Sequence, residues 1–319
     1  MSKDKNKSPR LNRRRVLQGV AASAVLLGAA GTARAGFLDA VKGLNIGGAP
    51  VGDMLGAAAD LFEGLSLGEE DELRIGEALY PRLIAQSNGA YRNSRVQDAM
   101  KSFAAPLFKT STRDAMKWDI TVLNDDVPNA WALPGGKLAV NRGLVRYVAN
   151  EHELAAVLSH EIGHVENAHA IKELRTKKAT GALTDAGKAV IRTQAGAGGA
   201  ITDQFIDAIS PAITGLVTSG YSRGAEFEAD HFILTSFEKT GYDPKQAPGF
   251  FRTLLELIPA SQEGTTSLFS SHPVTKDRIA KLEEDAAGLS YAGKKSGDRD
   301  FAELRKSFPL RRYYRRHAV

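Results

Sequence analysis

The 319-residue chain contains no cysteine. That excludes disulfide staples, a thiol nucleophile, thiolate-held metal and a lipid-anchored bacterial N-terminus. There is no ATP-binding loop of the Gly-x-x-x-x-Gly-Lys-Ser/Thr form, so chemistry driven by nucleotide hydrolysis finds no support. No internal repeat is visible, and beyond the first 35 residues no run is apolar and long enough to span a bilayer. An excess of positive charge is also missing once the N-terminus is set aside. Residues 1–35 hold 8 of the 42 Lys+Arg and 1 of the 37 Asp+Glu, which leaves 34 against 36 and a net of −2. The high isoelectric point belongs to that leader, and nucleic-acid binding gains nothing from it.

The leader itself is patterned. Lys3, Lys5, Lys7, Arg10, Arg13, Arg14 and Arg15 precede an uncharged stretch from Val16 to Ala33, and Ala33-Arg34-Ala35 is a small-residue cleavage pattern. Together these read as an export signal, with an uncleaved anchor as the alternative. The run from Asn12 to Gln18 is similar to a twin-arginine signal, departing from it at Val16 and Gln18. Residues 36–68 are rich in Gly and Ala and read as a packed helix or a loose leader.

About 280 residues remain, enough for one large or two small cores. Ser66 followed by Glu69 suggests a capping box opening a helix to about Ser87, and a second helix is expected over Ser94–Phe108. Residues 118–123 alternate as a strand does. Pro134-Gly135-Gly136 marks a hairpin between Ala130 and Val140. Leu144 to Val148 reads as a short helix, and a longer one is expected over about Glu151–His169. Lys172 to Ser219 is helical in pattern, interrupted by the Gly/Ala run 195–200, with Pro211 starting or kinking another piece. Arg305, Lys306, Arg311, Arg312, Arg315 and Arg316, among Phe308, Tyr313 and Tyr314, read as a solvated basic tail.

The residues with the clearest chemistry are His160-Glu161-Ile162-Gly163-His164. On an α-helix, positions four apart differ in direction by about 40°, so both imidazoles leave one face. That is the spacing two ligands of one zinc ion require, and the intervening glutamate can act as general base on water. Leu154, Ala155, Val157, Leu158, Ile162 and Val165 supply an apolar stripe at helical spacing. Candidates for a further ligand lie at Glu226 and Asp230, one turn apart. His169, about 140° around a continuous helix from His164, is expected to miss the site. His152 is expected to be solvated, and Glu228 to be a solvated charge on the opposite face.

HExxH followed by Glu-x-x-x-Asp resembles the M48 zinc metallopeptidases. The resemblance runs from about Glu69 to Leu282 and includes Asn129-Ala130-Trp131-Ala132-Leu133-Pro134-Gly135-Gly136 and His272-Pro273 with Arg278-Ile279. It implies an α-rich α+β, gluzincin-like fold with a small sheet and zinc between two helices. It also implies one Zn²⁺ held by His160, His164 and Glu226, with Asp230 orienting a ligand histidine. His272 is implied to lie near the metal, either steadying the oxyanion or acting as a fourth ligand that holds the enzyme latent. Arg278 is expected to support that loop or bind substrate main chain. Ala130, Trp131 and Ala132 are expected to hold an extended substrate by strand addition, or to be plain scaffold.

The expected layout is therefore an export signal at 1–35, a Gly/Ala-rich segment at 36–68, a peptidase domain at 69–288 and a basic tail at 289–319. The function the resemblance implies is zinc-dependent cleavage of unfolded or misassembled envelope proteins in a bacterial periplasm. Peripheral membrane contact through the tail is a further expectation, and nucleic acid is not an expected partner. The alternative is a chaperone-like assembly factor whose zinc is structural.

Overall fold

The computed structural model describes residues 45–46, 49–50, 67–179, 201–257, 271–291 and 298–309. The export signal, most of segment 36–68, the Gly/Ala run at 195–200 and residues 310–319 lie outside them. The chain divides into two compact units, 1–63 and 64–319. In the first, β1 (Asn45–Ile46) pairs antiparallel with β2 (Ala49–Pro50). All that follows concerns the second.

Helix α1 (Glu69–Gln86) opens with four acidic residues, which suit the positive end of its dipole. Gly68 is its N-cap, and Asp71 accepts a hydrogen bond from the Gly68 N–H at 3.0 Å, so the cap sits two residues later than Ser66 suggested. Helix α2 (Ser94–Phe108) is capped by Asn93, whose side chain accepts from the N–H groups of Arg95 and Val96.

Strands β3 (Asp119–Leu123), β4 (Ala130–Leu133) and β5 (Lys137–Asn141) form one sheet in the order β3-β5-β4. β5 runs parallel to β3 and antiparallel to β4. Gly135 and Gly136 both have positive φ, 79° and 81°, and close the β4–β5 hairpin. A Cβ on Gly135 would stand 2.8 Å from the Glu72 carbonyl oxygen, so both the turn and the close approach of α1 demand glycine. The sheet is covered on both faces. Ala130, Ala132, Leu138 and Val140 face one apolar cluster, whereas Trp131, Leu133 and Ala139 face another. Burial on both sides explains why Ala-Trp-Ala-Leu has no polar member.

After the short helix α3 (Arg142–Val145), α4 (Glu151–Glu166) is buried from His152 through Val165. It is buried all round, as a central helix is, and its buried polar residues are His152, Glu153, Ser159, His160, Glu161 and His164. Asn150 caps it by accepting from the Glu153 N–H at 3.0 Å, and Glu153 in return accepts from the Ala149 N–H at 2.7 Å. The helix ends three residues earlier than the sequence predicts. Asn167 donates to the Gly163 carbonyl, Ala168 takes φ +50°, and α5 (His169–Ala179) starts in a new direction. Helix α6 (Asp203–Ser219) carries Pro211 in its interior instead of beginning there.

Helix α7 (Arg223–Thr240) packs along α4. Gly163 makes their close contact possible, since a Cβ there would lie 2.9 Å from the Phe232 Cβ and 3.0 Å from the Ala229 Cα. Helices α8 (Gly249–Leu257), α9 (Lys276–Ala287) and α10 (Arg299–Ser307) follow. Helix α10 corrects the reading of a solvated tail over its own length. Phe301 and Leu304 are buried in the main core against α2, as is Phe308 just beyond the helix, and Arg305 donates to the carbonyls of Val145 and Val148. No helix among the described residues is long and apolar enough to cross a membrane.

Candidate metal centre

Four elements converge on one buried point. Helix α4 brings His160, Glu161 and His164. Helix α7 brings Glu226 and Asp230. The segment before α9 brings His272, and the first turn of α9 brings Arg278. One ligand atom from each of His160, His164, Glu226 and His272 lies within 4.8 Å of the others. All four residues are nearly inaccessible to water.

The local distances follow from helical spacing. His160 Nε2 and His164 Nε2 are 3.1 Å apart. Glu226 places its carboxylate 3.4 Å from His160 Nε2 and 3.5 Å from His164 Nε2. His272 Nδ1 is 3.2 Å from His160 Nε2 and 3.1 Å from Glu226 Oε1, so it lies inside the cluster. Its Nε2 faces Glu161 Oε1 at 3.4 Å. Both oxygens of Glu161 are buried without a hydrogen-bond partner. An orphaned buried carboxylate beside three imidazoles is costly unless a positive charge or a polarised water completes the site.

Outer contacts hold these groups in place. Asp230 Oδ1 stands 2.9 Å from His160 Nδ1, off the N–H axis. Arg278 grips Asp230 through Nε and Nη2, both at 2.7 Å, reaches Glu226 with Nη1 at 2.7 Å, and donates to the Pro273 carbonyl at 3.0 Å. Arg278 thus directs its donors at the site carboxylates and at the His272 loop. Tyr221 stacks on His164 with centroids 4.2 Å apart.

Two residues that sequence reasoning set aside belong here. His169 is buried, and its Nδ1 is 2.9 Å from His164 Nδ1. Its Nε2 donates to Glu228 at 3.1 Å. The expectation that His169 points away assumed one unbroken helix, and the turn at Ala168 removes that premise. Glu228 is exposed but is tied to His169 and Lys172. His152 is buried rather than solvated, accepting from the Asp243 N–H at 3.1 Å. The signal in the sequence was Asn167, a residue that favours helix ends and here caps α4, weaker than a Gly or Pro would have been.

The electrostatics point the same way. Burial pulls the His160 imidazole down, but the carboxylates of Asp230 and Glu226 more than offset this and hold it up at about 9. His164 is pushed well below the usual histidine range by burial and by its imidazole neighbours. Burial raises the Glu161 carboxyl. Burial opposes ionisation of Glu226 as well, yet His272 and His160 hold that carboxyl far below the usual range. Two imidazoles, a carboxylate and a third imidazole, closely set and competing for positive charge, match the N/O donor set that a tetrahedral divalent ion takes.

Ala130, Trp131 and Ala132 lie on β4, at one margin of the sheet and paired on one side only to β5 among the described residues. Ala132 and Leu133 approach His164 and Tyr221, and Asn129 approaches Ser271, so the strand runs alongside the cluster. The Trp131 ring turns away from α4 and meets Tyr80 edge-on at 6.0 Å.

Comparison with known proteins agrees with this geometry. Residues 90–286 match the family model described as "Peptidase family M48". The chain is similar to the mitochondrial metalloendopeptidase OMA1 of Schizosaccharomyces pombe, 32% identical over 181 residues, covering 53% of this chain and 47% of that protein. It is 26% identical over 235 residues to the metalloprotease YcaL of Escherichia coli, covering 73% and 87%. It is also 26% identical over 222 residues to the beta-barrel assembly-enhancing protease of Escherichia coli, covering 68% and 43%. It thus spans about half, or less, of the length of two of these three relatives. The matched region holds every member of the imidazole–carboxylate cluster, and the chain belongs to peptidase family M48.

Proposed function

We propose that the protein is a zinc-dependent endopeptidase with one metal site per chain, His160, His164 and Glu226 serving as ligands. The observation that carries this reading is Glu161, a buried carboxylate with two unpartnered oxygens beside three candidate ligands. Zinc bound there would act as a Lewis acid toward the scissile carbonyl and bring its water's pKa to near 7. Glu161 takes the water's proton on its free oxygen and delivers it to the leaving amine, a task that suits a carboxyl raised by burial. Asp230, clamped by Arg278, fixes the orientation of His160. The margin of β4 provides main-chain groups at Ala130, Trp131 and Ala132 for an extended peptide.

His272 has a specific place in this scheme. Its Nδ1 faces His160 and Glu226 among the ligand atoms, which favours a fourth-ligand role that closes the site at rest. Replacing it with alanine then raises peptidase activity. A fall would assign it to the oxyanion instead.

Unfolded or misassembled envelope proteins are the proposed substrates, and the periplasm the proposed location. Support comes from the signal-like leader and from a relative whose name refers to beta-barrel assembly. The experiment is cleavage of unfolded casein by the zinc-loaded protein beside Glu161→Gln. The variant should keep its zinc and lose activity by roughly 10²–10⁴-fold. Equal cleavage by both proteins would defeat the mechanism. No cleavage by either, with client aggregation still suppressed, would favour the chaperone-like alternative.

A further inference from the structure

The two ligand histidines of α4 are held by different means. His160 meets a carboxylate of α7 directly, through Asp230. His164, whose Nε2 faces Glu226, meets a carboxylate at its Nδ1 only at second hand. His169 stands between, 2.9 Å from His164 Nδ1 on one side and 3.1 Å from Glu228 Oε2 on the other. Glu226, Glu228 and Asp230 thus lie at alternate positions on one helix, and each bears on the centre by a different route.

The hydrogens can be assigned from the partners. An ionised carboxylate only accepts, so His169 Nε2 carries a proton and donates it to Glu228. His169 Nδ1 is then a lone pair. His164 Nδ1 must in turn carry the proton that fills the 2.9 Å contact, which leaves His164 Nε2 bare and facing His160 and Glu226. That tautomer is the one a metal ligand needs at Nε2. The geometry points to a Glu228–His169–His164 relay that fixes the tautomer and ring plane of the second ligand histidine, with His169 and Glu228 as positioning residues.

Several features of the fold serve this arrangement. Helix α4 stops at Glu166, and the left-handed Ala168 swings the chain so that the first residue of α5 returns toward the site. On a continuous helix His169 would project elsewhere. One face of the His164 ring is stacked by Tyr221, so the ring has little freedom besides the one the relay removes. Lys172, one turn further along α5, sits 3.6 Å from Glu228 and steadies it from the solvent side.

The relay rests on the zinc reading above, and its test separates the two. Zinc affinity of the purified full chain is measured by competition with a chromophoric chelator, alongside the melting temperature of the metal-free protein. His169→Ala should bind zinc about 10- to 100-fold more weakly than wild type. His169→Asn should recover most of that loss, because its amide oxygen can stand where Nδ1 stands and accept from His164. Glu228→Gln should lose about threefold to tenfold, less than His169→Ala because Glu228 faces water. The double variant His169→Ala/Glu228→Gln should be no weaker than His169→Ala alone, since removing the middle member already disconnects the end. A purely structural His169 would lower metal-free melting without rescue by Asn and with independent, additive losses. That pattern, or zinc affinity in His169→Ala within about twofold of wild type, overturns the relay. Wild-type protein that binds no zinc overturns the metal reading and the relay together.

Discussion

Two imidazole nitrogens 3.1 Å apart repel when both are lone pairs, and the chain sets His160 and His164 in that position. The positive charge that relieves them is a proton or a metal ion. With His160 held up at about 9, the metal-free site keeps a proton below that pH, and zinc must displace it. The sign follows: lowering the pH stabilises the competitor. Apparent zinc affinity should therefore rise about tenfold per pH unit up to roughly 9 and then level off. Calorimetric titration in buffers of different protonation enthalpy measures the released proton, and affinity flat from pH 6 to 8 would contradict the assignment. At this scale the sequence was legible where chemistry repeats at helical spacing, as for His160, Glu161 and His164. It was not legible for His169 and Glu228, whose parts depend on a turn marked in the sequence only by Asn167, with no Gly or Pro.

Helices α4 and α7 meet at Gly163, and the centre lies where they meet. Gly163→Ala adds a methyl within 3.0 Å of the neighbouring helix backbone. It should destabilise the fold by about 1–3 kcal/mol despite the better helix propensity of alanine, and weaken zinc binding as the helices part. Denaturant unfolding checks the first, and unchanged stability would show that the contact is loose. The start of α4 offers a second case. Burial raises Glu153 to about 7, against its hydrogen bond from the Ala149 N–H. A carboxyl raised in the folded state contributes stability in full below about 4.5, and loses it as pH rises through 7. Glu153→Gln keeps an acceptor for Ala149 and removes the charge. It should melt higher than wild type at pH 8, by roughly 1–3 kcal/mol of stability, and match it near pH 4. Pro134-Gly135-Gly136 declared the hairpin in advance because two successive positive φ values are adopted without strain by Gly-Gly. Helix α10 was obscured by its charges, since Phe301, Leu304 and Phe308 bury a narrow stripe among them.

The candidate ligand set sits on helices that build the larger apolar cluster, so metal binding and folding would be coupled. Zinc at a thousandfold over its dissociation constant would add about 4 kcal/mol to the native state. Stripping it with a chelator should lower the melting temperature by about 10 °C for a domain of this size, read by scanning calorimetry. A melting temperature indifferent to chelator would leave the centre without a structural metal. The α-rich architecture was readable from helical periodicity, but the two-faced burial of the sheet was not, because pairing order depends on contacts far apart in sequence. The most direct test of the central claim is anomalous diffraction from zinc-loaded crystals at the zinc edge. One peak about 2.0–2.2 Å from His160 Nε2, His164 Nε2 and a Glu226 oxygen is the expected result. No peak among these three residues, or zinc bound only elsewhere, would contradict it.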